Sequence, residues 1–215
     1  MLTVPAALPD LIIFDWDDTL VDSYAAIHAA INAARAAFGL PTWTLLETRE
    51  NCRIALKEIF PQWFGAEWEK AQDIFYTTFA EHHIAMLNPK AGALELLQVL
   101  AVRKIPLAVN SNKKNEYLRE EIDHLHWGEF FSAVVGAGDA VKGKPAPDGV
   151  IAIRNICRIG AEKDVWFVGD NSVDSETARA GGALPIIIDQ NYQILHGEVV
   201  FGSLAALLQY IVSIE

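Results

Sequence analysis

The sequence predicts an α/β protein: a doubly wound, mostly parallel sheet with an all-helical insertion after its first strand. Three observations point there. Short continuous apolar runs recur along the chain, helical periodicities separate most of them, and the stretch from about Asp22 to Asn88 carries helix signals without a convincing strand. Continuous apolar runs suit strands buried on both faces of a parallel sheet, where alternation would put polar side chains in the core.

The first run, Leu11-Ile12-Ile13-Phe14, stops abruptly at Asp15-Trp16-Asp17-Asp18-Thr19. Helical spacing follows in Ile27, Ile31, Ala34 and Phe38, with Gly39 and Pro41 as a stop. Thr44-Leu45-Leu46-Glu47 reads as a capping box opening a second helix. Trp68, Phe75, Phe79 and Met86 mark a third, closed by Pro89. Beyond it the alternation resumes. Strands are expected at 106–110, 133–135, 165–168 and 184–188. Helices are expected at 91–103, at 114–125 with Asn112 as a candidate N-cap, at 147–159 with Pro147 in the first turn, at 172–180 and at 204–211. The implied division is an α/β core of residues 1–21 and 89–215 with a helical unit of 22–88; a single domain with extra helices is the alternative.

Bulk properties narrow the function. A chain of 215 residues, 52% hydrophobic and 21% charged, can bury a sizeable core. No apolar run approaches the roughly 20 residues that span a bilayer, so no membrane partner is expected. Residues 1–10 have no Lys or Arg before the apolar stretch, which argues against a secretory signal and for a cytoplasmic protein. Cys52 and Cys157 have no metal-ligand spacing and read as reduced thiols. A net charge of −11 disfavours nucleic acid, whose backbone needs clustered Lys and Arg. Part of that charge suits a cation site. A monomer or homodimer is expected.

Four clusters lie just past the ends of apolar strands, where open α/β sheets form ligand crevices. In Asp15-Trp16-Asp17-Asp18-Thr19, three carboxylates within four residues repel one another unless a cation or proton offsets them. A solvated acidic turn is the alternative. Ser111-Asn112-Lys113 offers a hydroxyl and an amide at a helix start, suited to an oxyanion, although the same tripeptide makes an ordinary turn. Lys144, in Lys142-Gly143-Lys144-Pro145-Ala146-Pro147, could neutralise a phosphate or belong to a basic surface loop. In Gly169-Asp170-Asn171-Ser172-Val173-Asp174, Asp170 and Asp174 could both face a hard cation such as Mg²⁺. Asp174 would also be stable in a helix first turn with no further role.

Together, in this order and each at a strand end, the clusters resemble the haloacid dehalogenase-like hydrolase superfamily. Its motifs are DxDxT after an apolar strand, a strand-end Ser/Thr, a Lys and an acidic GDxxxD. The match spans the Rossmann-like core, with Asp22–Asn88 in the position of the helical cap. Gly143-Lys144-Pro145-Ala146-Pro147 and residues 169–182 resemble the phosphoglycolate phosphatase-like branch.

The resemblance implies a Mg²⁺-dependent phosphatase of small phosphomonoesters. Asp15 would be the nucleophile and Asp17 the general acid/base. Asp15, the carbonyl of Asp17, Asp170 and Asp174 would hold Mg²⁺, Asp174 directly or through water. Ser111, Asn112 and Lys144 would hold the phosphoryl oxygens, with Lys144 also pairing with Asp15 and Thr19 fixing the loop. The substrate would be a small phosphorylated metabolite such as phosphoglycolate, chosen by the cap, where Arg49, Arg53, Lys57 and Lys70 are candidate anion contacts. Asp17 disfavours the halide-removing and phosphonate-cleaving relatives. A phosphosugar mutase of the same superfamily is the alternative; a receiver-type phospho-aspartate signalling module is a remote one, since it needs no inserted cap. Trp16, bulky between two aspartates, is a candidate for shaping the entrance. His82-His83, Trp63 and Trp68 read as structural.

Overall fold

A computed structural model describes residues 5–52, 56–189 and 198–214, without the side chains of 56–58. In chain order the elements are β1 (Leu11–Phe14), β2 (Val21–Asp22), α1 (Tyr24–Ala37), α2 (Leu45–Asn51), α3 (Leu56–Phe64), α4 (Trp68–His82), β3 (Asn88–Pro89), α5 (Ala93–Val102), β4 (Leu107–Lys114), α6 (Asn115–His124), β5 (Phe131–Ala137), α7 (Asp148–Cys157), β6 (Val165–Gly169), α8 (Ser172–Ala180), β7 (Leu184–Ile188), β8 (Val199–Phe201) and α9 (Leu204–Ser213).

All four side chains of β1 are buried because the strand is central. It pairs in parallel with β4 on one side and β6 on the other. The six-stranded order is β5-β4-β1-β6-β7-β8, with every described pairing parallel. The chain therefore leaves β1 toward β4 and β5, then returns to build β6, β7 and β8 on the opposite flank. Such a reversal is where open α/β sheets place their ligand sites, here beyond the carboxyl ends of β1, β4 and β6. Leu11, Ile13, Ala108, Val135, Val150, Ile153, Val165 and Phe167 pack into one core. Full burial of a side chain such as Phe167 is worth about 1.5–3 kcal/mol.

Contacts divide the chain into Met1–Val21 with Pro89–Glu215, which holds the sheet, and Asp22–Asn88. The second unit is helical. In α1, Ile31 and Ala34 are fully buried, and in α4 Phe75 and Phe79 stack with ring centroids 5.9 Å apart. Trp63 meets Trp43 edge-on at 4.9 Å, consistent with a packing role. The Thr44 capping box is complete: Thr44 Oγ1 accepts from Glu47 N at 3.2 Å, and Glu47 accepts from Thr44 N at 2.7 Å.

Several local expectations are corrected. The stretch from Asp22 to Asn88 is not wholly strandless, because β2 and β3 form a short two-stranded ribbon at its ends. The unit has four α-helices among its described residues, not three: α3, with Pro61 inside it, stands as a separate helix between the Thr44 and Trp68 helices. The Trp68 helix ends at His82, leaving Met86 beyond it. A further strand, β8, closes the sheet edge. Strand β4 runs on to Lys114 through a register shift after Asn110, so Lys114, not Asn112, occupies the α6 N-cap position. Pro147 precedes α7 as its N-cap. Among the described residues, no helix is long and apolar enough to cross a membrane.

Candidate active site

The loop after β1 is shaped by its own backbone. Asp15 N donates to Val168 O of β6 at 2.8 Å, anchoring the start. Leu20 N and Val21 N both donate to Trp16 O, at 3.0 and 3.2 Å, and Asp18 N donates to Val21 O at 2.8 Å. This tight curl places Asp18 at φ 61°, a left-handed conformation that Asp tolerates better than most residues. Asp15 is buried and Asp17 half-buried. Lys90 pairs with Asp18 across the base of the loop.

Three carboxylates converge above the sheet. Ligand atoms of Asp15, Asp170 and Asp174 lie within 4.8 Å of one another. Asp170 follows β6 directly, and Asp174 sits in the first turn of α8, whose N-cap is Asn171. Gly169 makes this approach possible, because a Cβ there would meet the Asp174 carboxylate at 2.4 Å. Asp174 is fully buried and heavily committed. Its Oδ2 accepts from Asp170 N at 3.1 Å and from Asn171 N at 3.3 Å, and its Oδ1 accepts from Lys144 Nζ at 2.7 Å. Asp170 also accepts a long 3.5 Å hydrogen bond from Thr19 Oγ1.

Lys144 bridges the cluster, with Nζ 2.6 Å from Asp15 Oδ1 as well. Its loop is clamped by Asn112, whose side chain donates to Lys144 O at 3.0 Å and accepts from Lys144 N at 2.8 Å. Gly143 permits that clamp, since a Cβ there would meet Asn112 Oδ1 at 2.6 Å. Ser111 is buried at the end of β4; its Oγ accepts from Lys113 N at 3.1 Å. The register pairs Phe14 with Val109, so Ser111 belongs to the same end of the sheet as Asp15.

Burial pushes the Asp15 carboxyl up to about 7; Lys144 opposes the rise, while Asp174 and Asp17 add to it. Asp170 is raised well above the ordinary carboxylate range, first by burial and then by Asp174, Asp15 and Asp18. Burial works against the Lys144 charge, yet Asp15 and Asp174 hold its pKa above the usual lysine value. Clustered carboxylates of this kind supply hard oxygen donors, the chemistry that suits Mg²⁺. Among the described residues, the donor set fits such an ion.

Trp16 does not shape an entrance. It is fully buried, edge-on to Trp127 and Phe131 at 5.9 and 6.4 Å, and its Nε1 donates to Glu121 Oε2 at 2.7 Å. Glu121, Lys113 and Lys90 were not assigned roles from sequence. Lys113 Nζ lies 2.7 Å from Asp17 Oδ1 and 2.6 Å from Glu121 Oε2. The available signal was Glu121 beside Leu118 and Ile122 on the buried stripe of α6, where a carboxylate needs a partner.

In the helical unit, Arg49 pairs with Asp22 at 3.2 Å and covers the Tyr24 ring, while Lys70 pairs with Glu67 at 2.5 Å. Arg53 and the Lys57 side chain lie outside the described residues. His83 is buried and stacks on Phe79 at 5.1 Å.

Comparison with known proteins places this geometry in context. The model of the haloacid dehalogenase-like hydrolase family matches residues 12–187. A phosphoglycolate phosphatase of Pseudomonas aeruginosa is 28% identical over 200 residues, covering 88% of this chain and 72% of that protein. Its counterpart from Escherichia coli O157:H7 is 26% identical over 229 residues, covering 87% and 83%. A haloacid dehalogenase-like hydrolase structure from Streptococcus pneumoniae superposes with a TM-score of 0.80 at 21% identity, covering 93% and 97% of the two chains.

Proposed function

The chain belongs to the haloacid dehalogenase-like hydrolase family, and from that membership we propose that it is a phosphatase of small phosphomonoesters working through an aspartyl phosphate on Asp15. The observation that carries this reading is the meeting of Asp15, Asp170 and Asp174 within 4.8 Å, with the Lys144 amine 2.6 Å from Asp15. Curated relatives named phosphoglycolate phosphatase support the phosphomonoester class and make a phosphorylated two-carbon acid the first substrate to try.

In this reading Asp15 attacks phosphorus, a bond forms from its carboxylate oxygen, and the bond to the leaving alkoxide breaks. Asp17 gives that alkoxide a proton. A water then attacks the aspartyl phosphate while Asp17 takes its proton, releasing phosphate and restoring the Asp15 carboxylate. Ser111, the backbone amide of Asn112 and Lys144 hold the phosphoryl oxygens. Asp15, the Asp17 carbonyl and Asp170 would hold Mg²⁺, with Asp174 directly or through a water. The ion, when bound, screens the attacking carboxylate from the phosphoryl charge. Thr19 steadies the loop, and residues 22–88 serve as the cap that selects the leaving group. Two unpaired cysteines, Cys52 and Cys157, support a reducing, cytoplasmic setting.

The test is a phosphate-release screen over small phosphomonoesters with Mg²⁺ and again with a chelator. Release that needs Mg²⁺ is expected, highest on a short anionic substrate. Absence of release from every ester, or release indifferent to chelation, would overturn the proposal.

A further inference from the structure

Asp17 is tied to a closed circuit of buried side chains. Its Oδ1 is 2.7 Å from Lys113 Nζ, the same amine is 2.6 Å from Glu121 Oε2, and that oxygen also accepts from Trp16 Nε1 at 2.7 Å. The circuit then returns to Asp17 through the backbone between residues 16 and 17. Glu121 and Trp16 have no exposed surface, and the Lys113 side chain is only 5% exposed. Trp16 is held edge-on by Trp127 and Phe131, so the indole N–H has a fixed direction.

Stability alone is a poor reason for this arrangement. Burying an amine and a carboxylate costs several kcal/mol per ion, and apolar residues of similar volume often do as well. A closed circuit does accomplish something an apolar core cannot: it limits where the carboxylate of Asp17 points. Its Oδ1 is committed to Lys113, and its side chain keeps 23% of its surface exposed.

We propose that Glu121 is a positioning residue which, through Lys113 and with Trp16 as its anchor, fixes the direction in which the Asp17 carboxylate meets the leaving group. Resting on the phosphatase reading, this inference names the residues that make its acid/base group effective. Glu121 meets Lys113 and Trp16, and Lys113 in turn meets Asp17, which is the route by which its effect reaches the acid/base group.

The discriminating variable is the leaving group. An alkoxide needs a proton as it departs, whereas p-nitrophenolate departs readily without one. Single-turnover release of alcohol from phosphoglycolate and of p-nitrophenolate from p-nitrophenyl phosphate would be measured for the wild type and Glu121→Gln. Release from the alkyl ester is expected to slow by about tenfold or more, against less than about threefold from the aryl ester. The alkyl KM should stay within about twofold, because Glu121 does not meet substrate. Trp16→Phe, which removes only the anchor, is expected to act in the same direction by about fivefold. If Glu121→Gln does not fold, Trp16→Phe carries the test. Equal losses on both esters in a folded variant would mark a structural role and overturn the inference, as would no loss on either. A wild type inactive on both and on every other ester of the phosphate-release screen would instead overturn the phosphatase reading itself.

Discussion

At the scale of single residues, Asp15 and its neighbours differ in how much freedom they retain. Asp15 → Asn keeps the shape of the side chain and removes the nucleophilic oxygen charge. Turnover is expected to fall by at least about a thousandfold with the fold intact by circular dichroism, as removal of a covalent nucleophile does elsewhere. Wild-type rates in that variant would exclude the covalent step. Asp170 and Asp174 should separate. Both Asp174 oxygens are already used by Lys144 and by two backbone amides, while the Asp170 contacts with Asn171 Nδ2 at 3.1 Å and Thr19 Oγ1 at 3.5 Å both fall on Oδ1. Asp170→Ala is therefore expected to raise the Mg²⁺ concentration for half-maximal activity more than Asp174→Ala. The latter should act chiefly on stability, by about 3–5 kcal/mol, since it breaks a buried pair and leaves amides unmet. Mg²⁺ titrations and denaturant unfolding of the two variants check this, and the reverse order would exchange their roles.

At the scale of elements, what the sequence disclosed followed from periodicity, and what it hid followed from long-range pairing. The strands from Leu11, Leu107, Val165 and Leu184 were legible because each is a continuous apolar run with polar ends. Strand β8 was not, since three residues beside α9 carry too little pattern. The carboxylates and Lys144 were legible as strand-end chemistry, but the clamp made by the Asn112 side chain was not. Its side chain clamps Lys144 from 32 positions away, a contact no local propensity encodes. The same holds for Glu121, joined to Trp16 over 105 positions. Capping, by contrast, is local, and its energetics should be local too. Thr44→Ala removes the acceptor for Glu47 N and is expected to cost about 1 kcal/mol of stability while leaving Mg²⁺ dependence unchanged. Chemical denaturation beside a Mg²⁺ titration measures both; a changed metal requirement would mean that α2 contributes more than its cap.

Across the whole molecule, part of the net charge of −11 lies where it can be used. Asp15, Asp17, Asp18, Asp170, Asp174 and Glu121 share contacts or electrostatic interactions with Lys90, Lys113 and Lys144, a formal local charge of −3 that one divalent cation reduces to −1. The sign of the pH dependence follows from Asp15. Its folded pKa, about 7, lies above the unfolded 3.8, so its contribution to stability is fully present below 3.8 and is lost as pH rises toward 7. Above 7 the buried Asp15 charge is offset in part by Lys144 and a bound cation offsets it further, while below 7 protons compete with that cation. Mg²⁺ at a hundred times its dissociation constant should stabilise the protein by about 2.7 kcal/mol. For a chain of this size that raises the melting temperature by about 5–10 °C. The shift should be larger at pH 8 than at pH 6 and should vanish with a chelator. Because every carboxylate involved belongs to Met1–Val21 or Pro89–Glu215, only that unit's transition should move if Asp22–Asn88 melts separately. Differential scanning calorimetry at the two pH values reads all of this. A shift larger at pH 6, or one confined to the helical unit, would remove the buried carboxylate cluster as the seat of cation binding.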